Sequence, residues 1–96
     1  MSTHVQYNGY VQWENEVGQP NRDENDGPAF IHENGLTCYY KNGAFHRTNG
    51  PAVTHPNGAL EYWVDGKRHR ADGPACIWAD GTEEFWIDNE KVESLP

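Results

Sequence analysis

Only two of the 96 residues are serine, Ser2 and Ser94, and only two are cysteine, Cys38 and Cys76. Neither serine sits in a nucleophile elbow or a glycine-rich phosphate loop, so nucleophilic and phosphoryl-transfer chemistry are poorly served. An enzymatic site would have to draw on a non-repeated residue such as Cys38 or His4, and the sequence reads as non-enzymatic. Basic residues are also scarce: seven Lys and Arg stand against fifteen Asp and Glu, for a net charge of −8. Duplex nucleic acid and anionic membrane surfaces, which need a basic face, are therefore disfavoured as partners. No apolar run approaches the length of a membrane span, and the start MSTHVQYNGY has no charged head followed by a hydrophobic stretch, so a cytoplasmic location is expected. A hydrophobic content of 35% predicts a thin core. No window places apolar residues at helical spacing, which predicts essentially no helix.

What is present is a repeat. Gly27-Pro28-Ala29, Gly50-Pro51-Ala52 and Gly73-Pro74-Ala75 recur every 23 residues. In the same phase follow Asn34-Gly35, Asn57-Gly58 and Asp80-Gly81, then Tyr39-Tyr40, Tyr62-Trp63 and Phe85-Trp86, then Asn42-Gly43, Asp65-Gly66 and Asp88-Asn89. His46-Arg47 and His69-Arg70 close the first two units. Asn-Gly and Asp-Gly pairs tolerate positive φ at both centres of a tight turn, so each marks a hairpin reversal. The expectation is one domain over 1–96: an atypical unit at 1–26, then repeats at 27–49, 50–72 and 73–96. Its first strands fall at 28–33, 51–56 and 74–79 and its second at 36–41, 59–64 and 82–87, about eight short strands in one elongated antiparallel sheet.

Strand alternation puts Tyr39, Tyr62 and Phe85 on one face and Tyr40, Trp63 and Trp86 on the other. Either both columns are core in a curved sheet, or one is an exposed apolar stripe that binds a partner. The ends are acidic. Residues 1–33 sum to −5, 34–70 to +3 and 71–96 to −6. Residues 14–26 read as an acidic loop, carrying Glu14, Glu16, Asp23 and Glu24, that either caps the stack or contacts a partner. His46, Arg47, Arg68, His69 and Arg70 form a row that either braces its own turns, through Asp26, Asn49 or Asp72, or collects an anionic ligand. Equivalent histidines in successive units are about 9–10 Å apart on strand spacing, too far to share one zinc, and the two cysteines form no CxxC pair; no metal or cofactor is expected.

The segments Tyr62-Trp63-Val64-Asp65-Gly66-Lys67-Arg68-His69 and Trp78-Ala79-Asp80-Gly81-Thr82 resemble the membrane occupation and recognition nexus (MORN) repeat, a β-hairpin unit with an aromatic strand and a glycine turn. The His-Arg-x-[Asp/Asn]-Gly-Pro version resembles repeats in small bacteriophage and bacterial proteins. That resemblance implies an elongated sheet used for protein contacts, sometimes dimerisation, and not catalysis. The expected function is a phage-type accessory protein that binds and inhibits or redirects a host protein, with Tyr40, Trp63, Trp86 and the 14–26 loop as contacts. Sequestration of a nucleotide-like anion by the His-Arg row, or service as an oligomeric spacer, are the alternatives.

Overall fold

The computed structural model describes residues 2–95 and is all-β, without helix among them. In chain order the strands are β1 (Thr3–Tyr7), β2 (Tyr10–Glu14), β3 (Phe30–His32), β4 (Thr37–Cys38), β5 (Tyr40–Lys41), β6 (Ala44–Phe45), β7 (Val53–Thr54), β8 (Leu60–Glu61), β9 (Trp63–Val64), β10 (Lys67–Arg68), β11 (Cys76–Ile77), β12 (Glu83–Ile87) and β13 (Glu90–Val92). Nine form one sheet in the order β1-β2-β3-β4-β7-β8-β11-β12-β13, and β5 with β6 and β9 with β10 make two further hairpins. All pairings are antiparallel. The molecule measures 40 × 24 × 19 Å.

Among the described residues thirteen strands appear where about eight are expected, because two of the aromatic strands break and each second turn is followed by a short return strand, β6, β10 and β13. Thr37 and Cys38 pair with β3 and β7, then the chain bends at Tyr39 and Tyr40–Lys41 pairs with β6. The bend residue bonds both rows: the Tyr39 N–H donates to the Ala52 carbonyl (2.7 Å), and the Tyr39 carbonyl accepts from the His46 N–H (3.0 Å). Tyr62 repeats this with Ala75 and His69 (2.7 and 3.1 Å). Backbone bonds from Arg47 to Trp63 and from Gly66 to Phe45 set β6 beside β9, and bonds from Arg70 to Trp86 and Asn89 to Arg68 set β10 beside β12 and β13. The hairpins thus make a second, loosely joined row.

The two turns of each unit differ, which the sequence reading did not anticipate. Asn42-Gly43, Asp65-Gly66 and Asp88-Asn89 have positive φ at both centres, as a type I′ hairpin requires. At the other turn only the glycine is positive: Gly35, Gly58 and Gly81 have φ of 102°, 92° and 89°. There the preceding side chain bonds the backbone two residues on, Asn34 Oδ1 accepting from the Leu36 N–H, Asn57 Oδ1 from Ala59 and Asp80 Oδ1 from Thr82 (2.9–3.0 Å). That bond holds the Asx residue in a right-handed turn and leaves the left-handed position to glycine.

The core is small residues in a line. Ala29, Ala52 and Ala75, the alanines of the three tripeptides, are fully buried, with Cys38, Val53, Ala59 and Cys76 beside them. Tyr39 and Tyr40, from opposite columns, both pack on the Cys38, Ala52 and Val53 cluster, as do Phe45 and Trp63. The sheet is bent enough to draw both faces inward, and Tyr40, Trp63 and Trp86 are half-buried and not an exposed stripe.

The N-terminal unit keeps the pattern with a shifted register. The Trp13 N–H donates to Ala29 (2.7 Å) and the Asn21 N–H to Trp13 (2.7 Å), the bonds that Tyr39 and His46 make one unit later. Trp13 therefore occupies the place of Tyr39 and Tyr62, not that of Trp63, and Arg22 that of Arg47. Residues 14–26 are accordingly an ordered return path: Glu14 bridges Pro20, and Arg22 donates to the Tyr40 carbonyl (3.3 Å).

Candidate functional site

The His-Arg element is built the same way each time. The Arg47 guanidinium lies 3.9 Å over the Tyr39 ring, with Nε donating to Asn49 Oδ1 (2.9 Å) and Nη1 to the Pro51 carbonyl (3.1 Å). Arg70 lies 4.0 Å over Tyr62 and donates to Asp72 and to the Pro74 carbonyl (3.2 and 3.1 Å). Arg22 lies 3.8 Å over Trp13 and donates to the Pro28 carbonyl (3.2 Å). A Cβ on Gly50 or Gly73 would come within 3.0 or 2.8 Å of the guanidinium carbon, so the glycine of each Gly-Pro-Ala floors the stack. His46 Nδ1 accepts the Asp65 N–H (3.0 Å) and His69 Nδ1 the Asp88 N–H (3.1 Å), each clamping the type I′ turn of the following unit. Arg47, His69 and Arg70 line a shallow pocket of about 550 Å³. His46 faces a different cleft, and Arg68 lies apart from the row.

Arg68 sits among tryptophans. Its guanidinium carbon is 5.1 Å from the Trp63 and Trp86 rings and 6.0 Å from Trp78, and its Nη2 donates to Glu61 Oε1 (3.2 Å). Glu61, only 8% exposed, also accepts from Trp63 Nε1 (3.0 Å) and meets His55 Nε2 (2.7 Å). Burial pushes its carboxyl up, but hydrogen bonds from His55, Trp63 and Arg68 and the Arg68 charge outweigh it and hold the group below its ordinary value. Glu84 repeats the arrangement: hydrogen bonds from Trp86 and Trp78 lower it, with Lys91 4.0 Å away. One unit earlier the same positions are apolar, Cys38 for Glu61, Tyr40 for Trp63 and Phe45 for Arg68, and Phe45 stacks on Tyr40 (4.7 Å). Glu61, His55 and Trp78 were not among the site residues expected from the sequence. Their signal was a carboxylate in the slot that holds a buried cysteine one unit before.

Burial pushes both thiols up to about 11. Only the thiolate reacts readily, so Cys38 and Cys76 are expected to resist a disulfide reagent at neutral pH in the folded protein and to react together on unfolding, as a stopped-flow titration in denaturant would show. Among the described residues no group of three or more His, Cys, Asp or Glu is placed to hold a metal ion.

A cleft of about 780 Å³ lies between residues 21–26 and the β5–β6 hairpin, and Arg22, Asp23, Glu24, Tyr40, Lys41 and His46 line it. Glu24 is tied across it, accepting from Thr48 Oγ1 (2.5 Å) and N–H (3.1 Å), with His46 Nε2 at 3.7 Å. Glu14 lies one strand away, accepting from the Tyr7 hydroxyl and Gln12 Nε2. Next to the cleft, with Asn21 and Asn42 shared between it and a smaller hollow, residues 15–19 form a braced turn. Asn15 Oδ1 accepts the N–H of Val17 and of Gln19 (3.1 and 3.0 Å), and its Nδ2 donates to Gln19 Oε1 and Asn42 Oδ1 (2.9 and 3.1 Å). The turn presents Glu16 and a 78% exposed Val17 to solvent. The cleft thus brings together Asp23, Glu24, Tyr40 and His46, while Trp63, Trp86 and Arg68 belong to the tryptophan cluster. Compared with known family models, curated proteins and solved structures, the chain matches none of them.

Proposed function

We propose that the chain is a non-enzymatic protein-binding module that engages its partner through the 15–19 turn and the acidic cleft behind it. The carrying observation is Val17, 78% exposed at the tip of a turn that Asn15 holds with four hydrogen bonds. A lone exposed valine is ordinary on a protein surface. A valine on a prebuilt turn is different, because the ordering cost of binding has been met on folding. Glu16 beside it, with Asp23, Glu24 and Asp26 lining the neighbouring cleft, suits a basic-rimmed partner surface, which carboxylates would steer into place. This fits a small phage-type accessory protein acting on a host protein. The anion-binding alternative has less to work with, since Arg47 and Arg70 already use two nitrogens each and one ring face.

Affinity capture from host lysate tests the reading. The wild-type chain is expected to retain a discrete protein that Val17→Asp loses and Arg47→Lys keeps, with far-ultraviolet circular dichroism unchanged in both. Retention by Val17→Asp with loss in Arg47→Lys would reverse the assignment.

A further inference from the structure

The two edges of the main sheet are unlike. β13 carries Glu90 and Lys91 with Glu93 just beyond, in a segment, 71–96, that sums to −6. Charges of this kind are how sheets keep a free edge from pairing. β1, at the other edge, has none: residues 1–13 contain no Asp, Glu, Lys or Arg, and the strand Thr-His-Val-Gln-Tyr has no proline. The nearest carboxylate, Glu14, is one strand back and bonded to Tyr7 and Gln12.

The hydrogen-bond phase shows what that edge offers. The Trp13 N–H and the Gly9 carbonyl bond toward β3, to Ala29 and Glu33. The alternate residues of β2, Tyr10, Gln12 and Glu14, therefore face β1, where their partners are Tyr7, Val5 and Thr3. The N–H and carbonyl groups of His4 and Gln6 are left pointing outward. An aromatic ladder also ends here: Phe30 stacks on Tyr10 (4.9 Å) and Tyr10 on Tyr7 (4.7 Å), and Tyr7, the last rung, is 37% exposed.

We propose that β1 is the interface for a second copy of this chain, joined antiparallel about a two-fold axis through Val5. In that register His4 of each copy faces Gln6 of the other, which satisfies every outward group in two reciprocal pairs, four hydrogen bonds in all. Val5 meets Val5 of the second copy at the axis, and Thr3 meets Tyr7, whose exposed ring is covered by that side chain. The contact is isologous and closes at two. Charge favours a second copy in this orientation, since the two strands it joins carry no Asp, Glu, Lys or Arg and it sets the two −6 segments as far apart as the assembly allows. The cleft and the Val17 turn take no part, so this interface stands or falls separately from the proposed function.

Sedimentation velocity across a concentration series is expected to show reversible association to twice 10.9 kDa. Val5→Lys sets two like charges across the axis. N-methylation of Gln6, in a semisynthetic chain joined at Cys38, removes one outward donor and keeps the side chain. Each is expected to weaken the dimer about tenfold or more with the far-ultraviolet circular dichroism of the chain unchanged. Hydrogen exchange on the unmodified protein gives a readout that needs no variant: the amides of His4 and Gln6 should gain protection as concentration rises. A monomer at every concentration, a dimer indifferent to both changes, or association without protection of those two amides would each overturn the proposal.

Discussion

Glu61→Ala is expected to destabilise the fold by about 3 kcal/mol, because it strands a partly buried guanidinium and removes the acceptor of three hydrogen bonds. For a chain of this length, that is a drop of roughly 12–24 °C in melting temperature. Glu84→Ala should cost less, since its cationic partner Lys91 is 4.0 Å away and 60% exposed. The same carboxylates set the acid limit. Both are held below the ordinary value of 4.5 in the folded chain, so their contribution is complete above that value. It is lost as pH falls through their lower folded values. Urea midpoints measured from pH 7 down to pH 3 should fall below about pH 4.5, and Glu61→Gln should flatten that fall. A melting temperature unchanged by Glu61→Ala would mean that the tryptophans alone hold Arg68.

The second large effect concerns a glycine. Gly73→Ala places a methyl 2.8 Å from the Arg70 guanidinium carbon, so that side chain must swing off its stack on Tyr62 and its bonds to Asp72 and the Pro74 carbonyl. Displacing the side chain should cost about 2 kcal/mol, the sum of a cation–π contact and part of two hydrogen bonds. Gly50→Ala, with its closest approach at 3.0 Å, should cost less. The cause is separable by a double-mutant cycle. In an Arg70→Ala background the Gly73→Ala penalty should largely vanish, because nothing is left for the methyl to strike. Full additivity in urea denaturation would place the cost in the backbone instead.

The 23-residue period and all-β class were legible in the sequence because glycine turns and aromatic strands are local signals. The break at Tyr39 and Tyr62 was not, since it arises where one residue bonds two different rows, a property of partners far along the chain. Alternation assigned Tyr39 and Tyr40 to opposite faces but could not say that a bend would pack both on one cluster. The two kinds of Asx-Gly turn share a dipeptide and differ in whether the Asx side chain folds onto its own backbone. Of the cleft, its acidic residues and Tyr40 were readable, whereas the exposure of Val17 depends on how Asn15 ties its turn. The buried Glu61 was hidden by the habit of assigning carboxylates to the surface.

Because each unit bonds only to its neighbours and every guanidinium stack closes within its own return path, the protein behaves as a ruler graduated in hairpins. Inserting one further 23-residue copy between the second and third would lengthen the sheet by two strand spacings, about 9–10 Å, and leave the contacts at both ends untouched. The distance from the neutral β1 edge to the acidic far end is thus a variable that a gene can reset by duplication, without redesigning anything at either terminus.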